Sequence, residues 1–141
     1  MKLYDTLSGT KKELTPTDGE VKMYVCGPNL YGPSHVGHAL SYVVFDVLRR
    51  YLEYRGYRVR HVQNFTDIED RIIELGITGG MDIKELAEEY IERFLVEMDG
   101  LGVQRAHHYP RATEYIDQMI EIIQGLIAKG HAYAVDGDVY Y

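Results

Sequence analysis

The sequence predicts an α/β fold: the first half of a Rossmann-like, doubly wound parallel sheet. Three observations predict it. The apolar, β-rich run "VKMYVCG" reads as a strand ending near Cys26 and Gly27. A helical pattern follows from about Ser34 or His35 to Arg55, with Gly56 as its stop. The run "YRVRHVQNF" is a second strand. Strand, crossover helix and strand make one βαβ unit of roughly 30 or more residues. Such a fold needs two halves, and only one is legible, so the sequence reads as the first half of something larger.

The elements follow in order. "KLYDTLSGTKKEL" is a hairpin with Ser8-Gly9 at its turn, and "TPTDGE", with Pro16 and Gly19, is a breaker. The first βα loop runs from Pro28 to Ser34. The helix after it places Ala39, Val43, Val47, Leu48, Tyr51 and Leu52 at a loose 3.6-residue period. "TDIEDRIIELG" is a short helix capped by Thr66 or Asp67 and stopped by Gly76, with "ITGG" as a break. "DIKELAEEYIERFLVEMDGLG" is the clearest helix. Asp82 and Glu85 have capping-box spacing, and Ile83, Leu86, Ala87, Tyr90, Ile91, Phe94 and Leu95 form one stripe. His107 and His108 read as a solvated turn. A last helix spans about Thr113 to Lys129, and "AYAVDGDVYY" is a hairpin with Asp136-Gly137 as a type I′ turn.

Composition narrows the function. The 141 residues carry a net charge of −7, so the segment is a poor general binder of DNA or RNA phosphates. The single cysteine allows no internal disulfide. The first residues lack an apolar signal core, and no apolar run would span a bilayer. The expectation is a cytoplasmic protein with no membrane partner.

The chemistry concentrates in "MYVCGPNLYGPSHVGHALSYVVFD". Ligands of open α/β sheets sit beyond the carboxyl ends of the strands, and a helix N-terminus there favours an anion. Gly37 lets a ligand or backbone approach closely, and His35 and His38 share a helix face from which imidazoles could serve phosphoryl oxygens. The same pair also fits a loop cap, or half of a metal site that needs further ligands. Cys26 fits a small buried hydrophobe or a zinc thiolate. Asn64, Thr66 and Asp67 fit a substrate-binding edge, and equally an N-cap. Asp67 with Asp70 fits a magnesium pair or helix-dipole complementation.

"MYVCGPNLYGPSHVGHALSYVVFDVLRRYLEYRGYRVRHVQNFTDIEDRII" strongly resembles the N-terminal catalytic segment of cysteinyl-tRNA synthetases, which are class I aminoacyl-tRNA synthetases. "LYDTLSGTKKEL" and "HYPRATEYIDQMIEIIQGLIAKGHAYAVDGDVYY" resemble the same family, so the likeness covers essentially the full chain. It implies a HUP-type catalytic domain, with about 1–110 as the nucleotide-binding half and about 111–141 as the start of the connective insertion. No anticodon-binding domain is present in these residues. It implies that His35 and His38 are catalytic and that Asn29, Tyr31, His35, Gly37 and His38 bind ATP with Mg²⁺. Gly27, Asn64, Thr66 and Asp67 would bind cysteine, and Cys26 would be one zinc ligand, the others lying beyond Tyr141. The implied reaction activates cysteine with ATP and passes it to tRNA. The chain departs from the family pattern at Asn29, Gly32, Leu40 and Glu69. The expected activity is cysteine–tRNA ligation, with these 141 residues incomplete for it. The rival readings are the cysteine ligase of mycothiol biosynthesis and a non-catalytic synthetase-like remnant.

Overall fold

The chain opens on the expected antiparallel hairpin, β1 (Lys2–Asp5) and β2 (Thr10–Glu13), with Asp5 opposite Thr10. The Asp5 carboxylate accepts from the Ser8 N–H and hydroxyl, at 3.2 and 2.6 Å, which ties down the turn. A computed structural model gives residues 1–16 and 18–141; Thr17, inside the predicted breaker, lies outside the described residues. The chain divides into two units. The first holds Met1–Cys26, Ser34–Gln63 and Phe94–Tyr109; the second holds Gly27–Pro33, Asn64–Arg93 and Pro110–Tyr141.

In the first unit β3 (Glu20–Val25) pairs in parallel with β4 (Arg58–Gln63) through α1 (Val36–Tyr54), the predicted βαβ unit. Val25 and Gln63 are register partners at the carboxyl ends of the strands. Strand β3 is buried on one face only. Val21, Met23 and Val25 are buried while Lys22 and Tyr24 are exposed, because the two-stranded sheet is covered on one face only. The predicted apolar face of α1 is corrected. Its buried flank is Tyr42, Asp46, Arg49 and Leu52, and Val43, Val47 and Tyr51 are exposed. The polar flank is buried because it satisfies the backbone of residues 102–105. Asp46 accepts from the Gln104 N–H, Arg49 donates to the Arg105 carbonyl, and Arg50 donates to the Gly102 carbonyl. His107 and His108 are exposed, as expected, but form a bend and a bridge rather than a turn. They run beside β4, with the His107 N–H on the His61 carbonyl and the Gln63 N–H on the His108 carbonyl.

In the second unit α2 spans Asp70–Gly79, and its N-cap is Glu69, whose side chain accepts from the Ile72 N–H. Thr66 and Asp67 therefore do not cap it. Gly76 does not stop it either: the helix runs to Gly79, with Gly80 as its C-cap in the left-handed region at φ 63°. Gly76 is needed inside the helix, since a Cβ there would meet Ile83 Cγ1 at 2.7 Å. Helix α3 (Ile83–Gly100) begins in this unit and ends in the first. Asp82 caps it, accepting from the Lys84 and Glu85 N–H groups. Leu86, Ala87, Ile91, Phe94 and Met98 are its buried stripe. The last predicted helix is split into a 3₁₀ turn at Ala112–Tyr115 and α4 (Ile116–Ala128). The closing hairpin, β5 (Tyr133–Val135) and β6 (Asp138–Tyr140), turns on Asp136 and Gly137 with φ of 51° and 97°, the predicted type I′ geometry.

Candidate active site

In the first unit the loop after β3 enters α1 through His35, which is extended (φ −130°) and is the N-cap. Its Nδ1 accepts from the Gly37 N–H at 3.1 Å, and His38 Nδ1 accepts from the His35 N–H at 3.3 Å. The two rings stack, 4.0 Å between centroids and 17° between planes. A neutral imidazole that accepts at Nδ1 carries its proton at Nε2. The capping box thus takes the Nδ1 atom of each ring and leaves an Nε2–H donor on its far side. Burial and the His35 ring hold the His38 pKa below its ordinary value, against the pull of Glu97. Gly37 leaves room for the His35 ring: a Cβ would lie 3.0 Å from its Cε1 and 3.1 Å from its Nδ1, so the ring would have to shift by a few tenths of an ångström. Capping, one of the alternatives in the sequence, uses the Nδ1 atoms and so leaves Nε2 of each ring available to a ligand.

Two residues without a signal in the motif support this entrance. Ser34 N–H donates to Glu97 Oε2 at 3.1 Å. Tyr42, one turn beyond His38 and buried at 5% exposure, donates its hydroxyl to the Cys26 carbonyl at 3.4 Å and packs edge-on against Phe94. Its spacing from His35 and His38 along one helix face is the clue the sequence offers. Cys26 itself is exposed, which removes the reading of it as a small buried hydrophobe. Among the described residues no group of three or more His, Cys, Asp or Glu could hold a metal ion. Cys26 thus fits one thiolate corner of a zinc site, and these residues do not complete one.

The second unit holds the other sequence-picked residues. Asn64 Oδ1 accepts from the Gly27 N–H at 2.9 Å, and Asn64 Nδ2 donates to Thr66 Oγ1 at 3.3 Å. Gly27 tolerates no side chain, since a Cβ would lie 1.5 Å from the Asn64 carbonyl oxygen. Asn29 and Thr66 form a parallel bridge, and the Thr66 N–H donates to the Pro28 carbonyl. Tyr31 lies under the Arg71 guanidinium, 4.9 Å from it. Asp67 is buried, and its two oxygens accept from the Thr113 N–H and hydroxyl at 3.0 and 2.5 Å. Asp70 opens α2 and is exposed. A cavity of about 500 Å³ is lined by Asp67, Asp82, Lys84, Glu88, Arg111 and Thr113, among others. The first unit therefore gathers His35, Gly37 and His38, and the second gathers Gly27, Asn29, Asn64 and Thr66. Thr113 is the participant that sequence reasoning missed; it lies 46 residues from its partner with no periodic signal.

This parallel strand pair with an imidazole-capped helix belongs to the class I aminoacyl-tRNA synthetase fold. The fold is shared with a Mycobacterium tuberculosis methionyl-tRNA synthetase in complex with methionyl-adenylate, at a TM-score of 0.70 and 21% identity, over 79% of this chain and 23% of that one. It is shared also with the LeuRS of Agrobacterium radiobacter K84 in a ternary complex with tRNA and LeuAMS, at 0.70 and 22% identity, over 84% and 16%. The family described as the tRNA synthetases class I (C) catalytic domain matches residues 13–141, and the chain belongs to that family. It is 52% identical to a cysteine–tRNA ligase of Clostridioides difficile (strain 630) and 54% identical to one of Caldicellulosiruptor saccharolyticus, each over 142 residues. Both matches cover all of this chain and 30% of the relative, so the chain spans less than a third of their length. Among the described residues no helix is long and apolar enough to cross a membrane.

Proposed function

We propose that this chain supplies the N-terminal half of the catalytic domain of a cysteine–tRNA ligase acting in the cytoplasm. Residues up to about 110 form the nucleotide-binding half, and 111–141 begin the connective insertion. The observation that carries this reading is the capping box at α1, whose two Nε2–H groups are free to donate outward from a helix N-terminus. In the proposed reaction a carboxylate oxygen of cysteine attacks the α-phosphorus of ATP, and pyrophosphate leaves. His35 and His38 donate from Nε2 to phosphoryl oxygens as negative charge grows on them. Asn29, Tyr31 and Gly37 complete the proposed ATP contacts, with Mg²⁺ on the phosphates. In the second step a ribose hydroxyl at the tRNA terminus attacks the carbonyl carbon, and AMP leaves.

Gly27, Asn64, Thr66 and Asp67 are proposed to hold the cysteine. Asn64 ties the Gly27 backbone to Thr66, so the two sides of that contact are set together. Cys26 is proposed as one zinc ligand, the others coming from outside these residues. A zinc thiolate bond would separate cysteine from serine, because an alcohol is a far weaker ligand at neutral pH.

The test replaces the matching 30% of the Clostridioides difficile ligase with this chain. The chimera is expected to catalyse cysteine-dependent ATP–pyrophosphate exchange and to charge tRNA, while the 141-residue chain alone does neither. A folded chimera that transfers cysteine to an amino sugar and not to tRNA overturns the acceptor. One that activates no cysteine overturns the reading.

A further inference from the structure

We infer that Thr113 is a positioning residue that locks the Asn64–Asp67 stretch in place and, through Asn64, fixes the Gly27 amide. The inference rests on the proposed role of that stretch in the amino-acid site. Residues 64–67 lie between β4 and α2, outside both elements, so their backbone groups need partners from elsewhere. The Thr66 N–H finds the Pro28 carbonyl, and the partners of Phe65 come from the segment 110–113. Phe65 N–H donates to the Pro110 carbonyl at 2.9 Å, and the Ala112 N–H returns a bond to the Phe65 carbonyl at 3.0 Å. Phe65, at 2% exposure, is the apolar pin of this bridge.

Asp67 then closes the contact. It is a carboxylate at 7% exposure, held by the N–H and hydroxyl of one threonine. The nearby cation does not pair with it by hydrogen bond: both terminal nitrogens of Arg111 fork onto Glu88 of α3. Thr113 is therefore the group that keeps this buried charge in position. A buried acceptor that loses a donor bears its full desolvation penalty and turns toward water. Turning Asp67 outward would pull on Thr66, and Thr66 carries the Asn64 amide that in turn holds the Gly27 N–H.

The test has two arms, both using Thr113→Val, which keeps the shape and removes the hydroxyl, and Thr113→Ser, which restores it. In the chain itself, amide hydrogen exchange at Thr66 and Gly27 is expected to rise about tenfold in Thr113→Val relative to the α2 amide of Ile73, and to return in Thr113→Ser. Thr78→Val, which removes another threonine hydroxyl of the same unit, is expected to leave both amides unchanged. In the chimera, Thr113→Val is expected to raise the KM for cysteine about tenfold with kcat and the KM for ATP nearly constant. Unchanged exchange at Thr66 and Gly27, or an equal rise at Ile73, overturns the lock. A KM for ATP that rises equally overturns its bearing on cysteine. If the unmutated chimera activates no cysteine, the functional reading fails while the exchange arm still decides the lock.

Discussion

At Gly37 a methyl group would sit 3.0 Å from the His35 ring. Gly37→Ala gains helix propensity of up to about 1 kcal/mol and strains the cap by a similar amount. Melting temperature is therefore expected to change little, while the His35 ring is displaced. In the chimera the expected loss of pyrophosphate exchange is at least about tenfold. An exchange rate equal to that of the parent would show that the ring position does not matter. His61 gives a second residue-scale prediction. It is 4% exposed on β4, and neither ring nitrogen has a hydrogen-bond partner. Burial, then Arg49 and His107, push its pKa down to about 4, with Asp46 opposing. The unfolded chain takes up this proton near pH 6.5, and the folded one resists it until about pH 4. The stability this contributes is fully present above pH 6.5 and is lost as pH falls through that window, on the order of 2 kcal/mol. Urea melts at pH 7 and pH 4.5 should show the loss, and His61→Leu should flatten it. Equal slopes in the two proteins would sink the assignment.

Helix ends are the features of the elements that single residues control. Asp82 takes two N–H groups at the start of α3, at 2.8 and 3.1 Å. Asp82→Ala is expected to cost about 1 kcal/mol in a urea melt and Asp82→Asn only a few tenths. An alanine variant as stable as the parent would mean that the end frays without consequence. Helix α1 shows the opposite case, where periodicity misleads. Val43 and Val47 look like core positions, yet the helix buries Asp46 and Arg49 instead, because the chain after α3 brings unsatisfied carbonyls and an amide to that flank. Apolar period reports that a helix is amphipathic, and the flank it buries depends on what arrives beside it.

For the molecule as a whole, the net charge of −7 sets an expectation about tRNA. Counterion release needs clustered cations, and 15 Lys and Arg against 22 Asp and Glu provide no excess of them. The 141-residue chain is expected to give no tRNA shift in a gel at physiological salt, while the chimera binds. Tight, salt-dependent binding by the chain alone would overturn this.

The sequence by itself determined the strand–helix–strand unit, both hairpins, the position of His35 at a helix start and the Asp82 cap. These are local: each depends on residues within a few positions, where periodicity, turn chemistry and capping operate. It also placed Cys26, His35, Gly37, His38, Asn64 and Thr66 in one motif pattern through resemblance. Only the tertiary structure decided that Glu69, not Thr66 or Asp67, caps α2, because Asp67 is taken by Thr113. It decided likewise that Gly76 lies inside the helix, that the His107 N–H bonds the His61 carbonyl on β4, and that β3 has one exposed face. In each of these the deciding partner comes from another element, dozens of residues away for Thr113 and His107. A short-range pattern offers several hydrogen-bonding choices of similar energy, and the partner that folding brings alongside selects among them.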